Sequence, residues 1–489
     1  MRRTNSTIVL SKFTTPDALT RTILLASLHA SALAGPEAKP ERKIESPLLS
    51  FADGRVQFDV EARARFEVRN NNRDFDDSIN DDNDDSWLLT RFRLGVAIKP
   101  LPWLKLYAQG QDVREIDSDR PNIPGVRGTE GGDEFDLRLG YVEVANYKAF
   151  PVGVTVGRQT ISYGDRRLLA DSQWLNFGRT FDAAKLRIQT TRFSMDAFVG
   201  RPVQIKEHVF NDSDSADTVA GLYASTETLG PQVTDLFYIY RDKADLQPDL
   251  DPTNKIDARG ASLGISQRVS TIGTRWKSKP GALHGWDYGI EAAVQWGEVW
   301  TGDRTTTPRL DQQSWAIHAE GGYTFEKASW RPRLGLEYNY ATGDKDPNDG
   351  KSESFQNLFA SNHEKYGYID EFSWRNMHNA RFQFSVKPAK TVDVELSYHA
   401  FWLAETTDYW YRSNGFSTLR TKTPDGRDVR TIEASNFAGQ ELDFVVKWKP
   451  LKWLNIDAGY SHFFAGDYLH DTGASADADL GYVQTQILF

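Results

Sequence analysis

The chain of 489 residues contains no cysteine. That absence excludes thiolate zinc sites, iron–sulfur clusters, disulfide scaffolds and a lipid-modified N-terminal cysteine. Basic residues are not in surplus: 58 Lys and Arg stand against 68 Asp and Glu, a formal charge of −10. A nucleic-acid binder would instead present a basic face. No apolar run reaches the roughly 18 residues that mark a membrane-spanning helix. Mean hydropathy is low, at −0.55. Aromatics, by contrast, are plentiful, with 27 Phe, 19 Tyr and 14 Trp, which sets the chain apart from a disordered one. A large soluble β protein remains, or a membrane β-barrel, whose half-apolar strands escape hydropathy scales.

The first residues read as an address. Arg2, Arg3, Lys12 and Arg21 precede the apolar stretch Ile23-Leu24-Leu25-Ala26-Ser27-Leu28, and Ala32-Leu33-Ala34 follows before Gly35-Pro36. A basic start, a short apolar core and an A-x-A site make residues 1–34 a secretory signal peptide. The alternative reading is a buried N-terminal helix. Residues 35–54 then form a periplasmic N-terminal segment, and residues 55–489 form the folded body.

That body repeats with a period of two. Val56, Phe58, Val60, Ala62, Ala64, Phe66 and Val68 alternate with Gln57, Asp59, Glu61, Arg63, Arg65, Glu67 and Arg69. One face therefore meets apolar surroundings and the other meets water. The run exceeds the about 9–11 residues that a tilted strand needs to cross a bilayer. Further strands are expected near 87–99, 103–114, 134–147, 152–160, 179–190, 193–203, 217–226, 233–242, 268–277, 285–301, 313–326, 330–342, 376–387, 391–404, 438–449, 453–465 and 479–489, for a total of 18.

The connections alternate as well. Short turns such as 99–102, 148–151, 191–192, 388–390 and 450–452 are interleaved with long segments such as 70–86, 115–133, 161–178, 343–375 and 405–437. An outer-membrane barrel has this asymmetry, with short periplasmic turns and long extracellular loops. The expected fold is an all-β transmembrane antiparallel barrel of 18 strands in the outer membrane of a Gram-negative bacterium, bathed in lipid and lipopolysaccharide. Trp103, Trp276, Trp286, Trp330, Trp448 and Trp453 lie beside the short turns, and Trp87 and Trp300 at the other strand ends, as two interfacial girdles would require. A terminal strand ending in Phe489 suits the outer-membrane insertion machinery.

A barrel of this size can hold an aqueous channel. Alternation assigns Arg63, Arg65 and Glu67, then Arg91 and Arg93, to its inner face. Arg333, Glu337 and Asn339 follow, then Arg381, Gln383 and Ser385, and then Asp393, Glu395, Ser397 and His399. Arg138 shares a face with Asp136, and the alternation slips after Gly140, as at a bulge. Two readings of the inward charges stand side by side. Arg rows facing acids offer a ladder along which an anionic polymer slides. Alternatively, Arg and Glu pair with each other and brace the wall.

The outer segments are acidic. Asp81, Asp82, Asp84 and Asp85 supply oxygens for calcium, but they lack EF-hand spacing; a solvated loop is the other reading, and low-specificity divalent bridging to lipopolysaccharide a third. Residues 343–375 and 405–437, rich in aromatics and charge, are the candidates to fold into the lumen.

Several stretches carry a resemblance. Val156-Gly157-Arg158-Gln159 is followed by Tyr163-Gly164-Asp165-Arg166-Arg167-Leu168, Trp174-Leu175-Asn176 and Arg179-Thr180-Phe181-Asp182-Ala183. Ala220 to Ser225, Leu358 to Asn376, Tyr398 to Ala404 and Gly439 to Asp443 continue in the same order. The chain resembles the bacterial alginate export family of outer-membrane porins. That resemblance implies a monomeric barrel of 18 strands, passive export of an acidic exopolysaccharide and an Arg-rich constriction to which Arg138, Arg158, Arg375 and either Arg91 or Arg93 correspond. It also implies periplasmic export partners. Two departures stand out: the turn before the seventeenth strand is only Pro450-Leu451-Lys452, and Asn455 and Asp457 occupy positions where the family places lumen arginines.

The functional expectation is a channel for an anionic polysaccharide or oligosaccharide, and the alternative is a general or carbohydrate-uptake porin. An enzyme is the third reading, with Ser397 and His399 two residues apart on one strand face but without a third orienting group. No metal-ligand spacing is present among the nine His, and no cofactor is expected.

Overall fold

The computed structural model describes residues 49–78, 84–119, 132–206, 209–244, 266–279, 281–302, 304–305 and 307–489. The expected signal peptide over 1–34 lies outside the described residues, as do Asp81 and Asp82.

Eighteen long strands follow one another: Val56–Asn70 (β1), Asp85–Leu101 (β2), Leu104–Ile116 (β3), Asp133–Ala145 (β4), Val152–Gln159 (β5), Phe181–Gln189 (β6), Phe193–Gln204 (β7), Asp217–Thr226 (β8), Gln232–Lys243 (β9), Ser266–Ser278 (β10), Trp286–Trp300 (β11), Arg309–Thr324 (β12), Arg333–Ala341 (β13), Met377–Ala389 (β14), Val392–Leu403 (β15), Phe437–Leu451 (β16), Leu454–Ala465 (β17) and Ala478–Leu488 (β18). Each pairs antiparallel with the next. β18 returns to β1 in a ladder from Glu61↔Leu488 to Asn70↔Asp479. Val60 and Phe489 exchange both backbone hydrogen bonds beyond that ladder, at 3.0 and 2.9 Å. Closure leaves no strand edge unpaired in hydrocarbon, where an orphaned amide is costly.

The period of two sorts the wall as expected. Phe66, Val68, Phe92, Leu94 and Ile98 are exposed on the outside, while Arg63, Arg65, Arg91 and Arg93 are buried on the inside. The six Trp beside the short turns are all exposed and form one girdle. The other girdle differs from expectation. Trp87 and Trp300 are only 3% and 7% exposed, whereas Trp296 and Trp315 are 46% and 47% exposed. Trp87 shares the parity of Arg91 and Arg93, so the pleat turns it inward, where Arg69 covers its ring at 5.7 Å.

The irregularity of β4 sits two residues before its expected place. Gln109 of β3 faces Leu139 and Gly110 faces Leu137, so Arg138 is the extra residue of a bulge. The bulge sends Arg138 and Leu139 inward together, and both are buried.

The interior is not simply wet. The connections at 160–180 and 342–376 fold into the barrel and carry Ile161, Tyr163, Leu168, Leu169, Phe355, Phe359, Tyr366, Ile369, Phe372 and Trp374 into one apolar cluster. Inward-facing Phe198, Tyr223, Phe237, Phe401, Phe463 and Tyr482 of the wall complete it. Phe372 stacks on Phe401 with ring centroids 4.0 Å apart. Full burial of such side chains contributes about 1.5–3 kcal/mol each, enough to hold long connections that solvent would otherwise keep extended. The connection at 404–436 roofs this core with Tyr409, Trp410 and Tyr411, all buried. Inward folding was expected of the 343–375 and 405–437 segments. The 160–180 connection joins them without having been expected to.

Candidate functional site

The inner arginines of β1 and β2 converge on one stretch of the 160–180 connection. Arg63 donates from Nη1 to the carbonyl of Gln173 at 2.9 Å and from Nη2 to Asn176 Oδ1 at 2.8 Å. Arg65 donates to the carbonyl of Trp174 at 2.6 Å, and its guanidinium lies 3.7 Å from the centre of the Trp174 ring. Arg91 reaches the carbonyls of Gln173, Leu175 and Asn176 at 3.1, 3.2 and 3.3 Å. Arg93 reaches Gln173 Oε1 at 2.9 Å and the carbonyl of Phe177 at 3.4 Å. Buried carbonyls outside any ladder need donors, and a guanidinium supplies several in a fixed plane. Glu61 balances the pair above it, at 2.5 Å from Arg91 and 3.1 Å from Arg93. Glu67 accepts from Arg65 at 2.6 Å. These arginines form a clamp on the loop.

Arg138 is inward and buried, hydrogen-bonded to Gln109 Oε1 at 2.7 Å. It lines a small void with Phe177 and Gly178 at the edge of the same clamp. Arg158 takes a different place. It has the parity of Val154 and Val156, which are exposed on the outer wall. It pairs across β6 with Asp182 at 2.8 Å and donates to the carbonyl of Asn211. It therefore sits on the outward row near the long-loop rim, and the constriction role suggested by the resemblance does not match its position. Arg375 lies under the roof, 3.7 Å from the Tyr411 ring and 3.1 Å from the carbonyl of Gly415. It is not brought together with the clamp arginines by any of these contacts.

A second network lies across the lumen. Arg167 donates to Glu337 at 3.0 Å and to the Tyr366 hydroxyl at 3.0 Å. Arg381 bridges Glu337 at 3.4 Å and Glu395 at 2.8 Å. Burial works against the charge on Arg167, but Tyr366, Glu337 and Glu291 outweigh it and hold this loop guanidinium above its ordinary range. Below it opens a cavity of about 490 Å³ lined by Lys277, Asp287, Glu320, Arg331, Arg333 and Glu395 among others. Arg333 is engaged there with Asp287 at 2.6 Å and Gln383 at 2.6 Å.

The two inward connections are joined to each other. Leu169 and Phe359 form a parallel bridge, and Ser361 N–H donates to the carbonyl of Arg166 at 3.0 Å. Trp174 stacks on His363 at 3.7 Å. At the tip, the side chain of Glu364 lies deep in the barrel yet is 47% exposed to the space below. Burial opposes its ionisation, but Lys447, His363, Lys365 and Arg166 bring its pKa down to about 2.

The remaining sequence candidates resolve into structural contacts. Asp84 accepts from the amide of Asn71, and Asp85 from Ser118 and from the amide of Asp119. Among the described residues, no group of three or more His, Cys, Asp or Glu is placed to hold a metal ion. Ser397 Oγ donates to Glu395 at 3.1 Å, and His399 Nδ1 faces Asn379 at 3.2 Å. Ser397 and His399 are therefore directed to different partners and not to each other. Asn176, Arg166 and Arg167, which tie the inward connections to the wall and to each other, were not among the expected site residues. Their signal is the density of apolar residues around them in a long connection between strands.

A closed antiparallel barrel with a lipid-facing apolar band and a polar, loop-constricted interior is an outer-membrane channel of the porin class. The chain matches the Alginate export family over residues 55–483 and belongs to that family. No curated protein matches it. Among solved structures it is similar to Pseudomonas aeruginosa OpdK, solved with vanillate, at 10% identity and a TM-score of 0.56, covering 89% of this chain and 98% of that one. Acinetobacter baumannii OccAB2 gives the same values. Pseudomonas aeruginosa OccD3 (OpdP) aligns at 10% identity and a TM-score of 0.56 over 90% of this chain and 92% of that one.

Proposed function

We propose that this channel passes carboxylate-bearing solutes of oligosaccharide size or smaller, one at a time, through a constriction made by two inward loops. The bridge between Leu169 and Phe359 carries this reading, because it joins the two inward connections inside a barrel that also holds a cavity of about 490 Å³. That volume falls within the usual range for a small-ligand pocket, about 300–1,000 Å³. Arg63, Arg65, Arg91 and Arg93 are engaged by loop carbonyls, so they do not offer a free ladder to a sliding polymer. Family membership favours uronates as the solute, and the vanillate in the OpdK structure is a carboxylate precedent on the same fold.

The test is conduction in planar bilayers with the purified full-length barrel. Oligogalacturonates of two to four sugars are expected to permeate and to interrupt the current, while neutral maltose oligomers of equal length are not. Equal behaviour of the two sets refutes the reading. Family membership also favours a second reading, export of a long alginate-like polymer. It requires both loops to leave the lumen, and alginate chains of several tens of sugars should then cross as readily as the trimer.

A further inference from the structure

Two tight turns meet at the constriction. Tyr163 to Arg166 closes with an Arg166 N–H to Tyr163 carbonyl bond at 3.0 Å, and Asn362 to Lys365 closes with a Lys365 N–H to Asn362 carbonyl bond at 3.0 Å. Arg166 and Glu364 both have left-handed backbones, at φ 62° and 67°. Residues with a side chain rarely adopt that region, so the surrounding structure must hold them there. The turns are tied by the Ser361 to Arg166 hydrogen bond. The tips therefore present Arg166 and the Glu364-Lys365 pair at one fixed place.

The charges at that place do not balance. Asp165 is shared by Arg275 and Lys277, each at 3.0 Å, and Lys277 also holds Glu320 at 2.9 Å. Glu364 is taken by Lys447 at 3.5 Å. Arg167 is taken by Glu337. Among the described residues Arg166 has only Asp171 as an ion-pair partner, at 3.9 Å, with 39% of its side chain open. Among the described residues the ammonium of Lys365, half-buried, has no hydrogen-bond or ion-pair partner. The clamp arginines have their acceptors built in; these two cations do not.

We propose that Arg166 and Lys365 form a carboxylate-binding site at the joined loop tips, through which the passing solute is held and selected. This rests on the anion-channel reading above and names the contact that performs it. A carboxylate would accept from the guanidinium of Arg166 and the ammonium of Lys365 together. The same carboxylate chemistry is present in a uronate sugar and in a small aromatic acid. Burial, then Arg167 and Arg166, bring Lys365 down to about 8, against the opposing pull of Glu364 and Asp165. Charged groups facing Lys365 are thus those four, with Lys277 and Lys447 behind the acids.

The experiment compares wild type, Lys365→Gln, Lys365→Arg and Arg166→Gln as full-length barrels in planar bilayers, with heat-modifiable gel migration showing that each is folded. The probes are galacturonate trimer, benzoate and maltotriose. In wild type, the trimer is expected to block current, and the half-blocking concentration should rise about tenfold in Lys365→Gln and in Arg166→Gln, the size of one charge-assisted hydrogen bond. Lys365→Arg should retain block, and block by wild type should weaken between pH 7 and pH 9 while that of Lys365→Arg does not. Benzoate blocking with the same variant pattern supports a site for any carboxylate, and trimer block alone supports one for the uronate. Carboxylate block that is unchanged in both Gln variants overturns the site while leaving the anion channel standing. Equal block by maltotriose overturns the anion-channel reading and the site with it.

Discussion

Arg65 of the wall lies over the ring of Trp174, 3.7 Å from its centre, and donates to the same residue's carbonyl at 2.6 Å. One side chain thus grips both the side chain and the backbone of a loop that crosses the lumen. Charge-assisted hydrogen bonds to buried acceptors contribute roughly 1.5–3 kcal/mol each, and a cation over an indole adds about 0.5–2 kcal/mol. Arg65→Met should therefore loosen residues 173–177 and raise single-channel conductance with added flicker. Conductance and noise equal to wild type would show that the clamp does not set the aperture.

Arg158 gives the opposite expectation. It faces outward beside Val154 and Val156 and pairs with Asp182. Arg158→Ala should leave the reversal potential in a salt gradient unchanged, while lowering thermal stability by about 1 kcal/mol or less, as for a partly exposed pair. A shift in reversal potential would place this side chain on the conduction path after all.

Gly367 has φ 87°, and an added Cβ would collide with Glu441 Oε2. That same carboxylate accepts from the amide of Ile369 through Oε1 at 2.9 Å. Gly367→Ala should cost about 1–3 kcal/mol of local stability and speed hydrogen exchange at Ile369. Exchange at the wild-type rate would mean that the turn absorbs the methyl group without moving.

Asp344 stands where two outer loops meet, its amide donating to Asp408 at 3.1 Å. Burial first, then Asp408, push its carboxyl up to about 7. A raised acid favours the folded junction in its protonated form. The contribution is complete below about pH 4, the ordinary range of an Asp, and is lost as the pH rises through about 7. Protease cleavage within 404–436 should accelerate from about pH 4 to pH 7 and level off above, and Asp344→Asn should flatten that rise. Identical pH profiles in the two proteins would remove Asp344 from the junction.

Strands and closure were readable because a period of two survives in any strand with one wet and one apolar face. The same period also held information that the resemblance overrode. Arg158 follows Val154 and Val156 at even spacing, and Trp87 shares its parity with Arg91. Both placements are therefore legible in the sequence, although the resemblance points Arg158 to the constriction and the strand end points Trp87 to a girdle. The inward course of 160–180 was harder to see. Long-range partners decide it, since Gln173 and Trp174 meet Arg63 and Arg65 more than a hundred residues away. Local periodicity carries no trace of such a contact. The density of Ile161, Tyr163, Leu168 and Leu169 was the one local hint that this connection would leave solvent.

The bridge between Leu169 and Phe359 ties the motion of one loop to that of the other. Neither can swing aside without breaking backbone hydrogen bonds to its neighbour, such as Phe359 N–H to the carbonyl of Leu168 at 2.9 Å. Widening therefore resembles a double door on one latch: current through a single molecule should jump between two levels, with no ladder of intermediate steps.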